Sequence, residues 1–136
     1  MARLGRPLSV EDRALVRAAQ EALRRGFEQH RHTVGAAVRT RSGAIFLGVS
    51  VEGIHGPCAE PVALGAAMTS GEREIDSMVA VARRGRSYPV LSPCGNCRQL
   101  LFDYAPRATV IARFPNGRVA RLKVTESLPG AFSTFA

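Results

Sequence analysis

The chain has 136 residues, which is enough for one domain with a hydrophobic core and too few for two. Its composition, 46% hydrophobic and 22% charged, is typical of a soluble globular protein, and no apolar run approaches the roughly 18 residues of a membrane-spanning helix. The net charge of +8 would suit nucleic acid, but with 6% aromatic residues and no Trp the chain offers few side chains on which bases could stack. We therefore expect a single domain over residues 1–136, for which nucleic acid is not the main partner.

The first half of the chain predicts a helix, a β-hairpin and a second helix. Ser9 followed by two acidic residues is typical of a helix N-terminus, and apolar residues then recur at helical spacing as far as Gly26. Two β-type runs, residues 33–40 and 44–51, are separated by a Ser-Gly turn. Residues 58–70 are small and mostly apolar, which predicts a buried helix.

The second half predicts three more strands and one more helix. Residues 77–83 have the composition of a buried strand, and residues 95–105 that of a helix ended by a proline. Two further strands, residues 108–114 and 118–124, are joined by a Pro-Asn-Gly turn. The order α-β-β-α-β-α-β-β predicts one α/β domain in which helices flank a mixed sheet.

The cysteines carry the first indication of chemistry. The N-terminal segment lacks the apolar core of a secretory signal, so we expect the protein in the cytoplasm. An odd count of three cysteines in a cytoplasmic chain argues against a disulfide framework. They are either independent buried thiols or bind something together.

Cys94 and Cys97 form a Cys-x-x-Cys motif at the start of a predicted helix, which fits a redox pair, half of a zinc site or a chance spacing. Cys58 begins another predicted helix, and two helix starts that follow neighbouring strands can face each other at one sheet edge. Three thiolates could then bind one Zn²⁺ and leave the fourth position for a water, whose pKa zinc lowers. Glu60, two residues after Cys58, is placed to take a proton from that water and to deliver it to a ring nitrogen and then to a leaving amine.

The chain resembles the cytidine deaminases of the small, all-cysteine zinc class and is similar to the blasticidin-S deaminases among them. The resemblance rests on CAE at 58–60 and SPCGNCRQ at 92–99, supported by VGAA at 34–37, GVSVEG at 48–53 and LPGAF at 128–132. Zinc nucleobase deaminases combine such a cysteine site with a glutamate that does not bind the metal. The resemblance implies a three-layer α/β/α sandwich with a mixed sheet of about five strands. It also implies hydrolytic conversion of a cytosine nucleoside, such as cytidine or deoxycytidine, to the uracil form with release of ammonia, in pyrimidine salvage.

The resemblance also implies roles for individual residues. Glu60 would be the proton shuttle, the backbone at Ala59 would hold the pyrimidine, and Glu52 would bind a ribose hydroxyl. Phe132 of one subunit would contact the pyrimidine base bound in a neighbouring subunit, which implies a homotetramer with shared active sites. One Zn²⁺ per subunit would be bound by three ligands, Cys58, Cys94 and Cys97.

Three positions depart from the cytidine deaminase pattern and bear on the substrate. Ser50, which we expect to contact the sugar, stands where the family has a ribose-binding asparagine, and His32, which we expect to line the substrate pocket, replaces an aromatic residue. Pro61, which is compatible with the first turn of a helix, replaces an arginine whose charge offsets the three thiolates. We expect Arg98 to supply that compensation, with the helix N-termini or one of Arg83, Arg84 and Arg86 as the other candidates. The blasticidin-type relatives also lack the arginine, so a modified cytosine nucleoside such as blasticidin S is the alternative substrate.

Two other classes of function remain open at this point. The net charge of +8 would suit an editor of single-stranded nucleic acid, whose binding would depend strongly on salt. A zinc module without catalytic activity would use the metal only to support folding. Metal content and an activity screen on amino-nucleosides distinguish both from the enzyme.

Overall fold

A computed structural model describes residues 4–133, in which four helices and six strands follow one another along the chain. The elements are α1 (Val10–Gly26), β1 (Val34–Thr40), β2 (Ile45–Val49), α2 (Ala59–Thr69), β3 (Ile75–Ala82), β4 (Val90–Leu91), α3 (Gly95–Tyr104), β5 (Thr109–Arg113), β6 (Val119–Lys123) and α4 (Val124–Ser127). Among these residues no helix is both long and apolar enough to cross a membrane.

The strands form one mixed sheet in the order β2-β1-β3-β5-β6, and the short β4 pairs with the end of β3. The β3–β5 pair is parallel, and the other pairs are antiparallel. Between the parallel strands β3 and β5 the chain passes through β4 and the helix α3, which form the long crossover connection that parallel strands require.

The two faces of the sheet are covered by different helices, because side chains alternate along each strand. Ala37, Val79 and Ile111 face α1 and pack with Leu15 and Leu23 in one cluster. The alternate positions of the same strands pack with α2 and α3 in the other cluster: Ala36, Val38, Met78, Ala80, Val110 and Ala112. This arrangement confirms the predicted three-layer α/β/α sandwich with a mixed sheet.

Two glycines let the helices approach the sheet closely. A Cβ on Gly35 would lie 2.7 Å from Leu23 Cβ in α1. On the other face, a Cβ on Gly48 would lie 2.5 Å from the backbone N of Ala63 and 2.6 Å from the carbonyl O of Ala59, both in α2. The backbone of α2 therefore rests directly on β2, and this contact helps to fix where α2 begins.

The predicted elements are all present, with ends that differ by one or two residues. Two short elements were not predicted, the strand β4 and the helix α4, because two and four residues are too few to show a periodic pattern. The strand β4 brings the sheet to six strands rather than about five. Val124, which we predicted as the end of a strand, begins α4.

Candidate active site

The three cysteines meet because two helices begin side by side at one edge of the sheet. Cys58 is the N-cap of α2 and Cys94 the N-cap of α3. Cys97 lies in the first turn of α3 and is 1% exposed. The three Sγ atoms all lie within 4.8 Å of one another, as the sequence led us to expect.

Glu60 joins this cluster from the first turn of α2. Its side chain is buried, with 5% of the residue exposed, and its carboxylate accepts a hydrogen bond from the thiol of Cys97. Pro61 follows in the same turn, where its missing N–H costs no intrahelical hydrogen bond. The Glu60 carboxyl group thus lies beside the thiols, two residues after the N-cap Cys58.

A cavity of about 410 Å³ opens onto this cluster, and we call it the site cavity. Its walls come from the start of β1, the segment after β2, the start of α2 and the segment before α3. The lining residues are Thr33, Val34, Ser50, Glu52, Gly56, Pro57, Cys58, Glu60, Leu91, Ser92 and Cys94. A small organic molecule in this cavity would contact the thiols at one side and Ser50 and Glu52 at the other.

Burial and mutual repulsion alter the acidity of the clustered groups. Burial raises the pKa of Glu60, more than its hydrogen bonds lower it. Burial also raises the pKa values of Cys58 and Cys97, and the nearby Glu60 carboxylate adds to both shifts. At Cys94 burial acts in the same direction, but the backbone N–H groups of Cys97 and Asn96 and the other thiols outweigh it, so the pKa of Cys94 is lowered.

These groups fit a zinc ion. Three sulfur donors at the distances found here are the soft ligand set that selects zinc among the common divalent ions. The raised pKa values show that three thiolates and a carboxylate are costly together unless a cation balances them. Two helix N-termini add positive partial charge at the same point.

The far side of the site cavity is a hydrogen-bonded group built around Glu52. The Ser50 hydroxyl is buried, accepts from the backbone N–H groups of Thr33 (3.0 Å) and Val34 (3.1 Å), and donates to Glu52 Oε2 at 3.4 Å. The Thr33 hydroxyl donates to the same oxygen. The sequence did not lead us to predict Thr33 as a site residue, although its position directly before the VGAA motif could have indicated this. Thr33 and Ser50 together therefore orient Glu52, whose Oε1 accepts no hydrogen bond from residues 4–133.

His32 and Ala59 are close to the site cavity but do not line it. The Nδ1 atom of His32 lies 2.8 Å from the carbonyl O of Ser50, and because a carbonyl only accepts, Nδ1 carries the hydrogen. Its Nε2 faces Glu28 at 4.0 Å. Ala59 is fully buried at the start of α2. Their parts in substrate binding stay predictions.

Arg98 and Phe132 do not line the site cavity within this chain. The Nη1 atom of Arg98 donates to the carbonyl O of Ser127 at 2.8 Å, and its Nε is buried without a hydrogen-bond partner among residues 4–133. The ring of Phe132 is exposed, with 71% of the residue accessible, while its carbonyl accepts from Gln99 at 3.0 Å. Charge compensation by Arg98 and base contact by Phe132 stay predictions, the second one requiring another subunit.

Comparisons with known proteins agree with this site. The family model described as "Cytidine and deoxycytidylate deaminase zinc-binding region" matches residues 9–113. A blasticidin-S deaminase from Bacillus cereus is 38% identical over 130 residues, which cover 90% of this chain and 92% of the relative. A cytidine deaminase from Halalkalibacterium halodurans is 36% identical over 107 residues, which cover 76% of this chain and 79% of the relative. The crystal structure of cytidine deaminase from Burkholderia pseudomallei superimposes with a TM-score of 0.73 at 30% identity, over 92% of this chain and all (100%) of the other.

Proposed function

This chain belongs to the family of cytidine and deoxycytidylate deaminases, and from that premise we propose that it hydrolyses the 4-amino group of a cytosine nucleoside and releases ammonia. It is then a zinc-dependent hydrolase acting on a cyclic amidine, with cytidine or deoxycytidine as substrate. The observation that carries the proposal is the convergence of three Sγ atoms within 4.8 Å beside a buried glutamate, next to a cavity lined by Cys58, Glu60 and Cys94.

The residues of the site divide the chemistry between them. Cys58, Cys94 and Cys97 would hold Zn²⁺, which supplies Lewis-acid activation of a water molecule. The Glu60 carboxylate takes one proton from the water, whose oxygen bonds to C4, and gives that proton to N3 of the cytosine ring. It then moves the second proton from the same oxygen to the amine, which leaves as ammonia when the C4–N bond breaks. The raised pKa of Glu60 suits this exchange, because a group that both accepts and donates works best with a pKa near the working pH.

The substrate is oriented at the other side of the site cavity. We assign Glu52 to a ribose hydroxyl, with Ser50 holding the carboxylate in place. The backbone at Ala59 holds the pyrimidine edge, and His32 supports the wall through the Ser50 carbonyl.

Replacement of Glu60 by Gln tests the proposed function. The variant keeps the size and burial of the side chain, so it is expected to fold and to bind one zinc per chain. Deamination of cytidine, followed by loss of cytosine absorbance, should fall at least about 100-fold, the lower range for a general acid–base group. Glu74→Gln, a change to a side chain that is 75% exposed just before β3 and remote from the cysteines, is the matched control. Undiminished activity of the Glu60 variant would refute the assignment.

A modified cytosine nucleoside is the second candidate substrate. It is favoured by the 38% identity to a blasticidin-S deaminase over 90% of this chain, and by Pro61 in place of the arginine of ordinary cytidine deaminases. Assays of cytidine, deoxycytidine and blasticidin S side by side distinguish the two. A kcat/KM for blasticidin S at least about tenfold above that for cytidine would make the modified nucleoside the substrate.

We also propose that the enzyme works in the cytoplasm, in pyrimidine salvage, as a homotetramer with shared active sites. The exposed ring of Phe132 supports the shared site, since a large aromatic side chain next to α3 is left without cover. Light scattering measures the oligomer. Mixing a Phe132→Ala variant with a Glu60→Gln variant should restore part of the activity that each lacks, and no recovery after subunit exchange would contradict sharing.

A further inference from the structure

The segment that follows β2 is tied to the segment that leads into β1 at the far side of the site cavity. The Ser50 N–H donates to the Val34 carbonyl at 2.9 Å, and the Glu52 N–H donates to the Arg31 carbonyl at 2.9 Å. Glu52 and Thr33 both line the site cavity there. Because these bonds hold the main chain of Glu52 in place, only the torsions of its side chain remain to be set.

The two oxygens of the Glu52 carboxylate have different surroundings. Oε2 accepts hydrogen bonds from the Thr33 hydroxyl, from the Thr33 backbone N–H at 3.2 Å and from the Ser50 hydroxyl at 3.4 Å. Oε1 accepts no hydrogen bond from residues 4–133. Since a carboxylate only accepts hydrogen bonds, Oε1 fits a ligand group that donates one, such as a sugar hydroxyl.

Thr33 makes the stronger of the two side-chain contacts that hold Oε2. The Ser50 hydroxyl already accepts from two backbone N–H groups, those of Thr33 and Val34, and its 3.4 Å to Oε2 exceeds the roughly 2.5–3.0 Å usual for O–H···O bonds. The Thr33 hydroxyl has Glu52 as its one hydrogen-bond partner within residues 4–133. A bond from a hydroxyl to a carboxylate is charge-assisted, so its loss would leave the carboxylate much freer to rotate.

We propose that Thr33 is a positioning residue that sets the selectivity for the sugar, because by holding Oε2 of Glu52 it presents Oε1 to a ribose hydroxyl of the substrate. The proposal rests on the proposed deaminase function, in which Glu52 binds that hydroxyl. A mobile carboxylate would have to be ordered by the ligand itself, which weakens binding. The reacting amino group lies at the side of the thiols, so Thr33 acts on binding of the sugar and not on bond breaking.

Replacement of Thr33 by Val tests the proposal, because valine keeps the shape of the side chain and removes the hydroxyl. Calorimetry on the full-length, zinc-loaded Glu60→Gln protein measures binding of cytidine and of 2′,3′-dideoxycytidine, which lacks both ribose hydroxyls, without turnover. The ratio of the two dissociation constants is the sugar selectivity. Thr33→Val should lower it about 3- to 10-fold, as expected for loss of one hydrogen bond. Thr33→Ser, which retains the hydroxyl, should keep it.

A kinetic measurement and a matched control separate positioning from a general structural role. With Glu60 intact, Thr33→Val should raise KM for cytidine and change kcat far less, the pattern of a lost binding contact. The control is Thr109→Val, the same change at a threonine at the start of β5 whose hydroxyl lies 3.0 Å from that of Ser77 and which does not line the site cavity. It should leave the sugar selectivity unchanged.

The outcomes distinguish failure of this proposal from failure of the proposed function. A parent protein without preference for cytidine, or an equal loss of affinity for both compounds in Thr33→Val, would overturn the role of Thr33. If Glu52→Ala lowers the selectivity and Thr33→Val does not, Thr33 is excluded while Glu52 remains the sugar contact. If Glu52→Ala has no effect, the proposal fails even when cytidine is deaminated. Selective binding through Thr33 without deamination by the wild type would instead refute the enzyme.

Discussion

Replacement of Gly48 by Ala is expected to damage the zinc site from a distance, through the position of α2. Gly48 lies in β2 and does not line the site cavity. The added Cβ would lie 2.5 Å from the Ala63 N and 2.6 Å from the Ala59 O, both of them backbone atoms that cannot rotate away. The helix must therefore move, and Cys58 and Glu60 at its first turn must move with it.

The size of the effect follows from these distances. Real Cβ atoms essentially never approach other atoms closer than 3.0 Å, so α2 must shift by at least about 0.5 Å, the difference from 2.5 Å. Overpacking of this kind costs about 1–3 kcal/mol of stability. A misplacement of about 1 Å costs roughly 100-fold in rate, so half of that should lower kcat about tenfold. Zinc should also bind more weakly, because Cys58 moves with α2 while Cys94 and Cys97 stay with α3, and the distances between the three ligands change.

Two other glycine variants separate displacement of the site from loss of stability. Gly35→Ala creates a similar clash with α1, 2.7 Å from Leu23 Cβ, but α1 carries no site residue. It should lower the urea midpoint as Gly48→Ala does and leave zinc affinity unchanged. Gly65→Ala in α2 has no atom within 4 Å of the new Cβ and should stabilise the protein by up to about 1 kcal/mol.

The assays are urea unfolding, competition with a zinc chelator, and cytidine deamination at a temperature where each variant is fully folded. If Gly48→Ala keeps wild-type zinc affinity and kcat, the start of α2 is not positioned by its contact with β2. If Gly35→Ala lowers zinc affinity to the same extent, general destabilisation explains both, and the reasoning fails.

Two further changes test the core and the metal ligands. Asp12 is fully buried and pairs with Arg39 at 3.4 Å and Arg121 at 3.6 Å. Asp12→Asn should therefore lower the free energy of unfolding, measured in urea, by about 3 kcal/mol. The control is Asp76→Asn, which should lower it by under about 1 kcal/mol because the Asp76 side chain is 47% exposed. Equal losses would contradict this contrast. Cys97→Ala should reduce the zinc content well below one per chain and abolish deamination, and elemental analysis that still finds one zinc per chain would exclude Cys97 as a ligand.

The local pattern was strong enough to predict the long elements of the fold. The helix that begins after Ser9 shows its period over many residues, the run VGAAVRT has the composition of a strand, and both are present as α1 and β1. The metal cluster was also predictable, because Cys58 and the Cys94-x-x-Cys97 motif each begin a helix and their types allow few alternatives. Short elements without a full period, β4 and α4, were not predictable in this way.

Other features depend on contacts between segments that are distant in the chain. The sequence predicts Ser50 as a sugar contact with a shorter side chain than asparagine. In the fold its hydroxyl instead accepts hydrogen bonds from the backbone N–H groups of Thr33 and Val34 and donates one to Glu52. Scattered arginines likewise read as a general surface charge, and only the pairing of β3 with β4 and β5 places three of them around one pocket beside the site cavity. The sequence by itself determined the residue types and local periods, and hence the metal chemistry. The tertiary structure decided which side chains are already engaged and which are left for a ligand, because that depends on neighbours that sequence spacing does not specify.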